Sequence, residues 1–440
     1  MPLNLSELER RLSSPLPDLS GLSAEEQFER IAEKAAVGES IVTPAGLLER
    51  LKRSKASGKP LRFKLGIDAT TAQIHLGHAI PLINLRRILR MGHQLDLIFG
   101  DFTAMVGDPG GRMEERPALS AEQVRANVAT YAAQAARVLD LEAPNVRVHY
   151  NSAWLGKLTL SDWLKVTKGV GVSALLQRED FRKRMESGLP LSLAEAEYAL
   201  LMGYDSVTLN SDVEVGGMDQ FLNFHFCRNL MEAAGQFPEH FVCFDMLPGT
   251  TGERDSQGRL KKMSKTGGNH IPLHASPEEH YGKVLSVPDE VMWIWFRELT
   301  EIRADELAEL RAAVDSGALH PKEAKRLLAR VVVAVFNAYD GALVRQAETA
   351  FDQKFGAAKV LVPEDTKDVP LEGHAKALDA LRAATGESAG QVRRWAQQKG
   401  IQSLEGEAYA ALPEEALALP ASTLAGRVVK IGKRQYFRFH

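Results

Sequence analysis

The stretch from Leu61 to Gly92 constrains the fold most, because three patterns follow one another without a break. Leu61, Phe63, Leu65 and Ile67 alternate with Arg62, Lys64 and Gly66, which is the period of a strand. Small polar residues come next, Asp68-Ala69-Thr70-Thr71-Ala72-Gln73, and then Leu76, Ile80, Ile83, Leu85, Ile88 and Leu89 recur at helical spacing. A strand, a polar turn and a helix start make one unit of a parallel sheet. Its turn is an anion site, since unpaired N–H groups and the helix dipole both face it.

Two histidines sit at that helix start. His75 and His78, three residues apart, share one face of the first turn and can donate hydrogen bonds to a phosphoryl group, and Gly77 between them lets a nucleotide approach closely. Such a pair could also ligate a metal. No third ligand lies nearby in sequence, however, and Cys227 and Cys243 are too isolated for a zinc cluster, so no protein metal site is expected. Far downstream, Lys262-Met263-Ser264-Lys265-Thr266 lies in a glycine- and charge-rich connection, Pro248 to Asn269, long enough to be a lid. Two lysines there can close on phosphates and neutralise charge that develops during attack.

The first two-thirds of the chain alternates strands and helices. Leu95–Phe99, Val146–Tyr150 and Phe241–Phe244 read as buried strands, while Ser120 with Gln123 and Ser192 with Glu195 read as capping boxes that open helices. This alternation predicts a parallel sheet covered by helices, with ligands at the carboxyl ends of the strands. From Ser276-Pro277 onward the pattern is helical, and a Pro/Gly/charge-rich stretch near Lys354–Gly373 reads as a linker to a small last domain. With 440 residues there is room for about three domains. A net charge of −3 supports no general nucleic-acid electrostatics, yet the end of the chain, Arg427 to Arg438, is basic, interleaved with aromatics and free of acids. Two cysteines argue against a disulfide scaffold, and no apolar run approaches membrane length, so the expected compartment is the cytoplasm.

On a helix, Tyr198, Met202 and Asp205 fall on one face, and a carboxylate on such a face needs a partner, for which a phenolic hydroxyl is suited. Periodicity alone would let Tyr204 and Asp205 simply end that helix.

The His75-Leu76-Gly77-His78 and Lys262–Thr266 pair, in this order, resembles the two signatures of class I aminoacyl-tRNA synthetases, and His78 points to the tyrosine-specific branch, bacterial type. The resemblance covers about residues 35 to 345, and more loosely 375 to 440. It implies an α/β fold: a Rossmann-like parallel sheet with helices on both faces, then an α-helical domain and a small α+β RNA-binding domain. The boundaries it implies are an N-terminal helical segment 1–35, a catalytic domain 36–270, an α-helical domain 271–352, a linker 353–374 and an RNA-binding domain 375–440.

The implied activity joins tyrosine to its tRNA. ATP, accompanied by magnesium, activates tyrosine to tyrosyl-adenylate with loss of pyrophosphate, and tyrosine is then transferred to the 3′ end of the tRNA. Thr70, His75, His78, Lys262, Lys265, Thr266 and the loop residues Arg112 and Arg116 would serve the phosphates, with Gly77, Gly217, Asp219, Met263 and Ser264 on ATP. Tyrosine would meet Lys64, Gly66, Asp68, Thr103, Asp108, Asn151, Tyr198, Met202, Asp205 and Gln220, with Asp108 and Tyr198 on its ammonium and Asp205 on its hydroxyl. Met202 stands where the family has a glutamine, and cannot make the same hydrogen bond; Lys64 stands where many members have a tyrosine. Arg393, Arg394, Lys399, Arg427, Lys430, Lys433 and Arg434 would contact RNA, and the helix near 120–140 would lie in a homodimer interface. The alternatives are a tryptophan-specific relative and a non-catalytic paralogue with an RNA-binding or regulatory role.

Overall fold

The computed structural model describes residues 4–70, 73–110, 119–355, 366–405, 408–432 and 435–440. They form two compact units, Met1–Ala347 and Glu348–His440.

The first unit is built on a six-stranded sheet. Its strands are β1 (Ile41–Val42), β2 (Arg62–Ile67), β3 (Gln94–Phe99), β4 (Val146–Tyr150), β5 (Val213–Gly217) and β6 (His240–Phe244), in the spatial order β1-β6-β5-β2-β3-β4. All neighbours are parallel except the short edge strand β1, which pairs antiparallel with β6. From β2 the chain moves outward through β3 to β4, then returns to the other side of β2 for β5 and β6. That reversal opens a crevice at the carboxyl ends of β2 and β5, where ligands of open parallel sheets bind. β6 is buried at every position, as a central parallel strand must be.

Helices make the crossovers. Leu76–Arg90 links β2 to β3, and Ala121–Ala135 follows β3, opened by the capping box of Ser120 and Gln123. Leu193–Leu209 leads into β5, also from a capping box, and Phe221–Ala233 joins β5 to β6. These last two helices pack closely at Gly203, where a Cβ would sit 2.6 Å from a Leu230 methyl and 3.3 Å from the Cys227 backbone. Leu193–Leu209 also continues a full turn past Asp205 before Asn210 caps it in the left-handed conformation, so Tyr204 and Asp205 do not end the helix.

Five helices from Pro277 to Phe355 complete the helical region, with the wholly buried run Val331–Phe336 in one of them. The N-terminal segment is fastened to it. Glu9 accepts two bonds from Arg330 (2.7 and 2.9 Å), and the buried Lys34 ammonium donates to the carbonyls of Arg297, Thr300 and Ile302 at 2.7–3.2 Å. With three carbonyls as its hydrogen-bond acceptors, burial holds Lys34 down to about 8. No helix among the described residues is long and apolar enough to cross a membrane.

The second unit carries a five-stranded sheet, β7 (Lys367–Val369), β8 (Ile401–Glu405), β9 (Ala408–Ala411), β10 (Val428–Ile431) and β11 (Gln435–Phe439), ordered β7-β11-β10-β8-β9. Helices Ala377–Thr385 and Ala389–Gln397 cover it through Leu381 and Val392, which meet Ile401, Val429, Phe437 and Phe439. β7 lies inside the stretch read as a linker from its composition. It belongs to the sheet because it pairs in parallel with β11 over Lys367–Val369.

Candidate active site

Backbone hydrogen bonds join the two motifs read from the sequence. His75 forms an isolated bridge with Pro272, flanked by Leu76 N–H to Ile271 O at 3.0 Å and Leu273 N–H to Ile74 O at 2.9 Å. The segment that follows Lys262–Thr266 is therefore tied to the turn that follows β2. Lys265 reaches further, its ammonium donating to the Gln73 carbonyl. The lysine loop keeps its shape through Asn269: Oδ1 accepts the Ser264 N–H at 2.8 Å and Nδ2 donates to Lys262 O at 3.3 Å. Met263 is buried, its N–H bonded to Leu247 O at 2.7 Å, while Lys262 and Thr266 are exposed.

His75 is buried beside this loop, whereas the His78 side chain keeps exposed surface toward the turn. His78 Nδ1 accepts the His75 backbone N–H at 3.2 Å, and the two rings lie 3.9 Å apart. Desolvation by the surrounding protein atoms, reinforced by the neighbouring cations, holds His75 down to about 2 and His78 to about 4. Both rings are neutral at pH 7. Since His78 Nδ1 is an acceptor, the proton of that ring lies on Nε2, which makes His78 a neutral N–H donor toward the turn. A Cβ at Gly77 would stand 3.1 Å from the His75 ring, so the glycine serves the histidine pair as well as the open face of the turn. His270, whose ring is 6.2 Å from that of His75, joins the group; the sequence reading had not connected it. The turn itself is held from the helix Ala121–Ala135 by Asn127 Nδ2 on Ala69 O (2.8 Å) and Gln134 Oε1 on Ile74 N–H (3.0 Å). Thr70 closes it locally, its N–H on Asp68 O at 2.8 Å.

At the carboxyl end of β2 a second group assembles. Asp68 accepts from Thr103 Oγ1 (2.7 Å) and from the Tyr198 hydroxyl (2.9 Å). Gly100 makes room for this, since a Cβ there would collide with both Asp68 and Thr103. Asn151, fully buried, donates from Nδ2 to Thr103 Oγ1 at 3.0 Å and to Asp205 at 3.2 Å. Asp205 also receives Trp154 Nε1–H at 2.7 Å. Asp205 thus has partners within the chain, and Trp154 is one that the sequence reading missed. Burial pushes Asp205 up to about 7, against the opposing effect of Lys64, Trp154 and Asn151. Burial, together with Asp68, drives the Tyr198 phenol well above its usual range, so it remains a donor.

Two expected contacts are differently engaged. Lys64 is fully buried, its ammonium 2.9 Å from Glu214 and 3.4 Å from Glu239 and bonded to Ser206. Burial opposes its charge, but the two carboxylates hold the ammonium above its ordinary value, and Lys64 acts on Asp205 through its field. Glu214, Cys227 and Glu239 do bring three ligand-type atoms within 4.8 Å of one another, yet the Lys64 ammonium bonds both carboxylates. Met202 packs against the Phe224, Phe241 and Cys243 cluster, as a thioether filling apolar space. Gly66 has open space around its Cα.

Asp108 and Gln220 meet across the crevice, Gln220 Nε2 donating to Asp108 Oδ2 at 2.8 Å. A Cβ at Gly217 would collide with the Asp219 carboxylate, and Asp219 is exposed at the mouth. Arg112, Arg116, Lys433 and Arg434 lie outside the described residues. In the second unit, Arg393, Arg394 and Lys399 are exposed around the helix Ala389–Gln397. Arg427 is half-buried, and the Lys430 ammonium lies 5.9 and 5.8 Å from the rings of Tyr409 and Tyr436.

Residues 55–356 match the model of the family described as tRNA synthetases class I (W and Y). A tyrosine–tRNA ligase of Moorella thermoacetica is 38% identical over 402 residues, covering 91% of this chain and 93% of its own. One of Desulfotalea psychrophila is 38% identical over 422 residues, covering 94% and 98%. Among solved structures, the mitochondrial tyrosyl-tRNA synthetase of Aspergillus nidulans, C-terminally truncated, shares the fold with a TM-score of 0.60 at 20% identity, over 80% of this chain and 100% of that one. The tyrosyl-tRNA synthetase of Archaeoglobus fulgidus complexed with L-tyrosine does so with a TM-score of 0.56 at 19% identity, over 74% and 99%. The chain belongs to the W and Y family of class I tRNA synthetases, among the tyrosine–tRNA ligases.

Proposed function

We propose that this chain activates tyrosine with ATP and transfers it to a tyrosine tRNA. One observation carries the reading: the backbone bridge between His75 and Pro272 ties the histidine pair to the segment that follows the lysine loop, in the same unit as the buried acid Asp205. The tyrosine carboxylate attacks the α-phosphate of ATP, the bond to pyrophosphate breaks, and the adenylate forms. A ribose hydroxyl at the 3′ end of the tRNA then takes the tyrosyl group and AMP leaves. No covalent enzyme intermediate is needed. Thr70, His75, His78, Lys262, Lys265 and Thr266 supply donors and positive charge where charge develops on the phosphates, and Arg112 and Arg116 join them. Magnesium enters with ATP as part of the substrate.

At the other end, Asp205 accepts the substrate hydroxyl, while Asp108 and Tyr198 take the ammonium. Trp154 and Asn151 aim the Asp205 carboxylate, which is left to accept the substrate hydroxyl. The unit Glu348–His440 binds tRNA through Arg393, Arg394, Lys399, Arg427, Lys430, Lys433 and Arg434. A homodimer is supported by apolar side chains exposed along one segment, Leu160, Leu164, Val172 and Leu193, of which Leu160 is 75% and Leu193 74% accessible. The working compartment is the cytoplasm.

Amino-acid-dependent ATP–pyrophosphate exchange, run with each of the twenty amino acids, tests the assignment. Exchange with tyrosine alone is expected. Exchange with tryptophan in its place, or with none, would overturn it.

A further inference from the structure

Three hydrogen bonds run in a single direction into Asp108. Arg178 Nη1 donates to Asn223 Oδ1 at 2.9 Å, Asn223 Nδ2 donates to Gln220 Oε1 at 2.9 Å, and Gln220 Nε2 donates to Asp108 Oδ2 at 2.8 Å. The other Asp108 oxygen accepts the Gly110 N–H at 2.9 Å. Arg178 and Asn223 are both buried. The guanidinium is itself held by Asp180, which accepts at 3.2 and 2.9 Å, and lies over the Phe181 ring at 4.6 Å.

The direction of this chain has a physical cause. A guanidinium can only donate, whereas an amide has one accepting end and one donating end. A donor fixed at Arg178 forces the Asn223 oxygen toward it, so the Asn223 NH2 faces Gln220. That in turn forces the Gln220 oxygen toward Asn223 and its NH2 toward Asp108. Reversing either amide would set oxygen against oxygen in a buried site, which costs more than losing one hydrogen bond.

We propose that Arg178 and Asn223 are positioning residues for the substrate ammonium: they fix the polarity of the Gln220 amide, which holds the Asp108 carboxylate in place to receive it. This rests on the reading that Asp108 pairs with the ammonium. It also explains how Met202 is tolerated, because Asp108 is aimed from the Gln220 side without an amide at position 202.

Asn223→Asp tests the relay with little change in shape. The new carboxylate improves the pairing with Arg178, so a purely structural role for Asn223 predicts no loss. Polarity predicts the opposite, because a carboxylate in that place can only accept and turns the Gln220 NH2 away from Asp108. The readout is the ratio of affinities for L-tyrosine and for 3-(4-hydroxyphenyl)propionate, which lacks the ammonium, measured by calorimetry on the full chain. That ratio should fall about tenfold or more in Asn223→Asp. It should fall similarly in Arg178→Gln, whose amide can reverse, and stay within about threefold in Arg178→Lys, which still only donates. Asp108→Asn separates the two readings. An unchanged ratio there removes Asp108 from the ammonium and overturns both. If Asp108→Asn lowers the ratio while Asn223→Asp and Arg178→Gln keep it, the relay alone is overturned.

Discussion

The proposed phosphate end and the proposed amino-acid end of the site both start from the last residues of β2, yet they are built by different means. At the phosphate end a backbone group takes part in every contact: the bridge at His75 and Pro272, the His75 N–H on the His78 ring, and the loop N–H and carbonyl held by the Asn269 side chain. At the amino-acid end it is done by side chains from several separate elements, joined as Thr103–Asp68–Tyr198 and Trp154–Asp205–Asn151. A backbone-built site needs only short local motifs and tolerates change around it. A network of side chains depends on each member, and losing one leaves a buried group without a partner.

The largest separation between the two ends should come from His78→Ala. A neutral donor that acts where charge develops is felt in the transition state, so turnover in pyrophosphate exchange should fall about a hundredfold or more, with the Michaelis constants for tyrosine and ATP within a few-fold. A rise in the Michaelis constants at unchanged turnover would move the histidine from chemistry to binding.

Removing residues 356–440 should lower tRNA charging about tenfold or more at physiological salt and increasingly at higher salt, while tyrosine activation stays within about threefold. The cut belongs before β7, since that strand is part of the second sheet. Equal losses of activation and charging would make the unit a structural support of the first.

A smaller effect separates the ends by pH. His75 and His78 have folded values of about 2 and about 4, below the ordinary 6.5. From pH 6.5 down to 4 the unfolded chain takes up protons that these folded rings refuse, so their contribution to stability is full above that window and is lost as pH falls. For the buried His75 the slope is at most about 1.4 kcal/mol per pH unit, and for the more exposed His78 solvent screening makes it smaller. Urea unfolding of His75→Asn/His78→Asn should show a shallower acid-side loss than the parent. An identical slope would mean the rings are protonated in the fold.

Met202→Gln should have the smallest effect on catalysis. The amide would face Phe224, Phe241 and Cys243, so it should cost about 1–3 kcal/mol in stability and change the Michaelis constant for tyrosine only a few-fold. A gain of tenfold or more would mean that the side chain at 202 reaches the ammonium.

The same contrast governs what could be read from sequence. Val146–Tyr150, the helix start at His75 and the capping boxes at Ser120 and Ser192 are local patterns, and the structure has them where those patterns fall, although Val146–Tyr150 is an exposed edge strand rather than the buried one expected, because only β3 pairs with it. β5 escaped because the buried charge of Glu214 breaks the apolar run, and Lys64 on the neighbouring strand explains it. β7 escaped because three residues with two charges carry no strand signal without β11. The lysine loop was legible, but Asn269, which shapes it, looked like any loop asparagine. Trp154, Arg178 and Asn223 gain their roles from partners tens of residues away in the chain, and no spacing rule connects them.

The division of labour is tested most directly by Lys265→Ala and Asp205→Asn, assayed side by side for pyrophosphate exchange with tyrosine and with phenylalanine. Lys265→Ala should lose turnover about a hundredfold with both amino acids and keep their ratio. Asp205→Asn should lose most of the preference for tyrosine, at least about tenfold in the ratio of kcat/KM, while its turnover with tyrosine falls far less. If Lys265→Ala changed the ratio, or Asp205→Asn lowered both amino acids equally, the two ends would not be separable and the account would be contradicted.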